Sequence, residues 1–417
     1  MSNLGGPLGK SDMSGGADVT RATPRNLSLA QGADPSEIIT RLQTRQTVLA
    51  PGSTYDAVAA SVLRASARPA ESELRAAKLR ARAADKNWLP TLGPQVSLSS
   101  MGELVASLVV DQVIFDNGRK KAEREFARAD VEAAAVNLSI DMNDRVSTAL
   151  ELYLKAQEAQ EKAHAADRAL GAMREFDRIM TARVQGGVSD ISDQNVIRAK
   201  LSELQSTYES EVLNAQTAMA ELKAMSADDI SSLSGTPSLA ASPDGLKPLT
   251  VLLAEAELDR DVAQAKIDRA GLLPGLGATA NIGKDSSAGL VMTSDQGFGF
   301  GTMDNLAAVK AAREGAERRI LQAQEDSNRR QAALEQKLLS QRARATQAAD
   351  IAGQARANTD LFKRQFKAGR RTVMDVVGVV ENLARLEAEN VAIRYDIART
   401  EVEIAREYGA LIDGNAI

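Results

Sequence analysis

The last long stretch of the chain places its apolar residues at intervals of three and four. Positions 376, 379, 383, 386, 390, 393, 397, 400 and 404 are Val, Val, Leu, Leu, Asn, Ile, Ile, Thr and Ile, a heptad stripe along one helix face. Positions 374, 377, 384, 388, 391, 395, 398, 402 and 405 are Met, Val, Ala, Ala, Val, Tyr, Ala, Val and Ala, a second stripe on another face. A helix with two seams packs against a neighbour on each side. A stave in a hollow cylinder and a helix inside a solid bundle both meet that description. Residues 119–185 contain almost no Pro or Gly and predict a single helix. At about 1.5 Å per residue it would be roughly 100 Å long, which implies a coiled-coil-like assembly.

Elsewhere the period is two. Leu92, Pro94, Val96 and Leu98 alternate with Gly93, Gln95, Ser97 and Ser99. Leu276, Ala278, Ala280 and Ile282 alternate with Gly277, Thr279, Asn281 and Gly283. Residues 104–115 follow the first run after a turn, with Leu104, Ala106, Leu108, Val110 and Ile114 on one face. Residues 289–301 are a weaker, glycine-rich counterpart after the second run. The expected strands are therefore about 92–100, 104–116, 274–283 and 289–301, half-buried on one side. Four strands do not close a barrel, and open edges invite aggregation. Several chains together close one. Strands of about 9–11 residues span a bilayer when tilted, and an apolar-out, polar-in wall suits a membrane barrel. A small soluble sheet capping the helix ends fits the same alternation.

The landmarks recur. WLPTLG at 88–93 returns as LLPGLG at 272–277, 184 residues later. Gly187 returns as Gly369, and Asp193 as Asp375, each 182 residues later. Nearly equal offsets indicate an internal duplication. The chain divides into an N-terminal extension over 1–54, expected to be disordered from its Gly, Ser, Pro and Thr content. A first repeat over 55–225, a linker over 226–248, a second repeat over 249–412 and a tail over 413–417 follow. Each repeat reads helix, hairpin, very long helix, glycine turn, long helix. The turns lie near 186–190 and 368–372.

Composition narrows the chemistry. The net charge of −5, with both signs mixed throughout, gives no footprint for nucleic acid. With no cysteine and a single histidine, His164, there is no thiolate chemistry and no imidazole cluster for a metal. No cofactor or catalytic residue is expected. No nucleophile–base set stands out and no GxxxxGK[ST] loop is present, so an enzyme is the least favoured class. No apolar run reaches the roughly 18 residues of a membrane helix. His164 reads as a helix-surface residue, and Trp88 as either packing or an interfacial aromatic.

With these elements in order, the chain over about 55–412 resembles the TolC family of bacterial outer-membrane efflux ducts. The resemblance is carried by the duplicated LPxLG hairpin plan, by DQVIFDNGRKKAERE (111–125), by RVQGGVSDISDQNVIRAKLSE (183–203) and by FKAGRRTVMDVVGVVENLARLEAE (366–389). It implies a mostly α protein with a small β part that assembles as a homotrimer. Three chains of four strands each would form a 12-stranded β-barrel in outer-membrane lipid, on a periplasmic α-helical barrel about 100 Å long. It implies a passive exit duct for drug efflux or type I protein secretion, working with a periplasmic adaptor and an inner-membrane pump. The glycine turns would be the periplasmic hairpin tips. The resemblance then makes Gly186, Gly187, Val188, Gly369, Arg370 and Thr372 adaptor-docking positions. It makes Asp193 and Asp375 acidic residues of the periplasmic entrance, and Arg371 a basic residue that helps hold it closed. Gly378 stands where the family often has a second acidic residue. An outer-membrane location also implies a signal segment, which is not visible here, so the numbered chain is expected to lack its true start. The same tip residues have a plainer reading as helix caps. Thr372 and Asp375 have capping-box spacing, Ser189 and Asp190 suit an N-cap, and Gly187 and Gly369 suit a helix C-terminus. A soluble periplasmic coiled-coil scaffold or adaptor is the alternative; it explains the heptads but not the paired amphipathic hairpins.

Overall fold

The structure, a computed structural model, describes residues 36–66, 69–98, 104–239, 245–283, 286–293 and 302–416. The elements are α1 (Glu37–Gln43), α2 (Thr54–Arg64), α3 (Pro69–Ala84), β1 (Thr91–Leu98), β2 (Leu104–Phe115), α4 (Arg119–Gln185) and α5 (Ile191–Met225), then α6 (Leu249–Gly271), β3 (Gly275–Ile282), β4 (Ser287–Thr293), α7 (Thr302–Lys367) and α8 (Val373–Glu407). A short 3-10 turn closes the chain at Gly414–Ala416. Helices dominate. The weak fourth strand runs over Ser287–Thr293, and the rest of its expected span, 294–301, lies outside the described residues.

α4, of 67 residues, is the helix on which most of the others pack. It packs against α3, α5, α6 and α8, and α7 packs on α6 and α8. The two seams of α8 have different fates. Val377, Val391, Tyr395, Val402 and Ala405 of the second stripe are buried, while most of the first stripe is half-buried. One seam is thus satisfied within the chain and the other only in part. Among the described residues no helix is long and apolar enough to cross a membrane.

The strands form one antiparallel sheet in the order β1-β2-β3-β4. Register brings the apolar set of every strand onto the same face. Leu92, Pro94 and Val96 pair with Val110, Leu108 and Ala106. Leu108 and Val110 pair with Ile282 and Ala280, and Ala278 and Leu276 pair with Leu290 and Met292. The opposite face carries Gln95, Ser107, Asp111, Thr279 and Asn281. A bulge between Val113 and Phe115 shifts the register by one, so Phe115 pairs with Leu276 and joins the apolar face. No helix covers that face: Leu92 is 66% exposed, Val96 64%, Leu290 69% and Met292 72%. The sheet also ends at β1 and β4 with unpaired edges.

The core is divided. A large cluster gathers α1, α2, Val131–Leu154 of α4, the 222–252 region, Val391–Ala405 of α8 and Ala410–Ile412. A smaller one joins Ala169–Met180 of α4, Ile197 and Leu204 of α5, Phe366 of α7 and Val373–Val380 of α8.

The sequence pattern underrates the chain's start. Residues 1–35 lie outside the described residues, but 36–54 are ordered rather than extended into solvent. Ser36 caps α1, and Ile38, Ile39, Leu42, Val48 and Leu49 are buried. These five side chains are interspersed with polar residues, so composition hides them, yet each fills the large cluster. Arg45, 3% exposed, holds the segment in place. Its Nη1 donates to the carbonyl of Tyr408 at the end of α8, and its Nη2 to that of Lys247 at 2.6 Å. Burial lowers its pKa to about 10, and among the described residues no carboxylate pairs with it. The linker is likewise fastened down. Ile230 is buried, and the Tyr153 hydroxyl donates to the carbonyl of Gly235 at 2.7 Å. The tail is held by the backbone N–H of Gly414 donating to the carbonyl of Arg45.

Candidate functional site

Both glycine turns stand at the same end of the helices. The Arg183 Nη2, at the end of α4, donates to the carbonyl of Phe366 at the end of α7, at 2.7 Å. Lys367 bridges to Glu175 at 2.5 Å. The turns share one construction. Gly187 and Gly369 have φ of 72° and 73°. The N–H of Gly187 donates to the carbonyl of Val184 and that of Val188 to Arg183; likewise Gly369 to Phe366 and Arg370 to Gln365. Each pair is a Schellman closure, in which a left-handed residue lets the last carbonyls of a helix find donors. Three residues after each glycine comes the next N-cap, Asp190 or Thr372, bonded to the N–H of Ser192 or Asp375. The Asp375 carboxylate returns a bond from the N–H of Thr372 at 3.0 Å, completing a capping box. That backbone bond, with the hydroxyl of Thr372, holds the Asp375 carboxyl below the usual carboxylate range. The caps anticipated at Thr372, Asp375 and Asp190 are thus formed.

Beyond the capping groups, little is spent within the chain. Val188 is 77% exposed, and Gly186, Arg370 and Thr372 are also exposed. Asp193 and Asp375 are half-buried. Arg371 is engaged in its own hairpin: its Nε donates to Gln365 Oε1 at 2.7 Å, and its guanidinium lies 4.1 Å from the centre of the Phe362 ring. The residue assigned to closing the entrance therefore stiffens one tip within the single chain. Nothing touches a Cβ built on Gly187 or Gly369, so only the left-handed backbone selects glycine. Replacing either by alanine is expected to cost about 1–2 kcal/mol. Thermal unfolding of the single and double variants checks this, with the two costs adding.

The sequence reading missed the polar layer above the tips. Glu387 of α8, 6% exposed, lies between the two clusters. Its Oε2 accepts from Arg168 of α4 at 2.7 Å, and its Oε1 accepts from Arg356 of α7 through Nη2 at 2.6 Å and Nε at 3.1 Å. Position 387 belongs to neither apolar stripe, so periodicity gave no signal, and the arginines come from distant helices. Burial alone would raise the Glu387 carboxyl; the bonds from Arg356 and Arg168 outweigh it and hold it below the usual glutamate range. Its contribution to stability is thus present above the ordinary glutamate pKa and lost as pH falls through the lowered one. Acid titration of stability should show a step below about pH 4.5 that Glu387→Gln removes. Near it, Lys200 of α5 bridges to Glu381 of α8 at 2.5 Å. His164 is exposed, as expected, and Trp88 is 60% exposed beside the sheet.

No protein-family model and no curated protein sequence matches the chain. Solved structures do. The CmeC outer membrane channel of Campylobacter jejuni superposes with a TM-score of 0.74 at 15% identity, over 86% of each chain. A membrane protein from Pseudomonas aeruginosa gives 0.76 at 16%, over 93% of this chain and 96% of that one. The outer membrane protein VceC of Vibrio cholerae gives 0.72 at 14%, over 89% and 95%. The match covers most of the chain, which has the fold of the TolC family of outer-membrane channels.

Proposed function

We propose that the protein is the outer-membrane exit duct of an export system, passively conducting substrates expelled by an inner-membrane pump through a periplasmic adaptor. The observation that carries this reading is the sheet. Its apolar face runs across four strands with Gln112, opposite Ala278, as a polar interruption; among the described residues no helix covers it, and it ends in two open edges. A lone sheet of that kind is an aggregation hazard; closed edge to edge with copies of itself in lipid, it has neither open edges nor wetted apolar surface. Three copies give 3 × 4 = 12 strands. The half-buried first seam of α8 and the exposed Leu321, Leu339 and Leu361 of α7 supply contact surface for neighbouring helices in a closed wall. The soluble-scaffold alternative leaves the apolar sheet face without an occupant.

In such a trimer Asp193 and Asp375 would each form a ring of three at the periplasmic mouth, and the exposed tips would meet the adaptor. Rings of carboxylates favour cations. Wild-type pores in planar bilayers should therefore be cation-selective. Asp193→Asn/Asp375→Asn pores should show a reversal potential moved towards zero under a salt gradient. An unchanged reversal potential would leave Asp375 as a capping-box residue and Asp193 as a first-turn acid only.

A further inference from the structure

The chain's apolar sheet face ends, on the helix side, at Phe115, Leu276 and Met292. Trp88 stands at that end, its carbonyl accepting from Gln112 Nε2 at 3.0 Å. Just beyond, Asn117 and Gly118, both left-handed, turn β2 into α4. A cavity of about 300 Å³ opens at this junction, lined by Phe115 and Leu276 together with Asp116, Arg119, Lys120 and Glu123. Its two acids are already engaged. Asp116 accepts from the backbone N–H groups of Gly118 and Lys120 at 3.0 and 2.6 Å. Glu123 accepts from Asn87 Nδ2 at 3.0 Å and Arg119 Nε at 3.2 Å. Among the described residues Lys120 and Lys121 have no ion-pair partner.

These cations also stand where a helix disfavours them. The first turn of α4 holds Arg119, Lys120 and Lys121 and no acid, whereas α5, α7 and α8 each carry an aspartate there. Positive side chains at an N-terminus oppose the helix dipole. An anion from outside the chain would offset that cost, and the apolar wall of the cavity requires that the anion carry a hydrocarbon part.

We infer that this junction binds the headgroup of an anionic phospholipid from the leaflet on the helix side of the bilayer. The acyl chains lie along Phe115, Leu276 and Met292, and Lys120 and Lys121 reach the phosphate. Tryptophan at such a boundary and lysines just outside it are the pattern of a headgroup level. The inference rests on the barrel reading above.

The test uses full-length protein in nanodiscs of phosphatidylcholine alone or with added phosphatidylglycerol. Phosphatidylglycerol should raise the wild-type unfolding temperature. Lys120→Gln/Lys121→Gln should lose most of that increment while still inserting, and Lys120→Arg/Lys121→Arg should restore it. Inorganic phosphate at millimolar concentration should have no such effect. An equal increment in the glutamine variant, or the same increment from phosphate alone, would overturn the site. Wild-type protein that enters neither nanodisc would overturn the barrel reading itself, and the site with it.

Discussion

Phe366→Ala is expected to cost about 3–5 kcal/mol and to melt the tip end of the helices first. The Phe366 side chain is fully buried, 0% exposed, and its ring meets that of Phe176 edge to face with centroids 5.2 Å apart. The guanidinium of Arg183 lies 4.7 Å from the ring centre and donates to the carbonyl of the same residue. Removing the ring opens a cavity where α4 and α7 meet and withdraws one side of a cation–π contact. The tip cluster is small and separated from the main one by the Glu387 layer, so the loss cannot be shared along the helix. Hydrogen exchange should show protection falling over 169–204 and 366–380 and persisting over 131–154. Uniform loss along α4 would mean that the two clusters unfold as one.

Arg45→Ala is expected to destabilise by about 3 kcal/mol, the scale of losing two hydrogen bonds from a buried charged group. The substitution leaves the carbonyls of Tyr408 and Lys247 without these donors, and the hydroxyl of Thr47, donating to the carbonyl of Leu411 at 3.2 Å, remains as a weaker clamp between the chain's start and the segment after α8. The buried Ile38, Leu42 and Leu49 would then detach from the large cluster. Limited proteolysis should cut within 36–54 in the variant and not in the wild type. The cation is held by helix-end carbonyls, so Arg45→Lys should recover only part of the loss, since an ammonium does not span both acceptors. Full stability in Arg45→Ala would show that the apolar contacts alone fix the segment.

Much of the fold is legible because its signals are local and repeated. Period two in 92–98 and 276–282, and near-absence of Pro and Gly over 119–185, correspond to β1, β3 and α4 within a few residues. The caps at Thr372 and Asp190 are legible for the same reason, since each is settled within three or four consecutive positions. What escapes is long-range. Arg183 meets Phe366 across 183 residues, and Glu387 is gripped from α4 and α7. A polar residue outside both apolar stripes carries no mark of its partners. The ordered start escapes for a different reason: seven residues of α1 are too few to establish a period, and their burial depends on α4 and on the closing Gly414–Ala416 turn. The bulge before Phe115 is also invisible to strict alternation, which puts Phe115 on the wrong face.

A sheet that closes edge to edge with copies of itself makes this chain one part of a closed wall. The mass of the detergent-solubilised particle, measured by light scattering with the detergent subtracted, tests it most directly. A closed wall gives three copies per particle and no stable monomer in detergent-free buffer. A well-folded monomer that stays dispersed without detergent would contradict it, because the apolar sheet face and both sheet edges would then have to be tolerated in water.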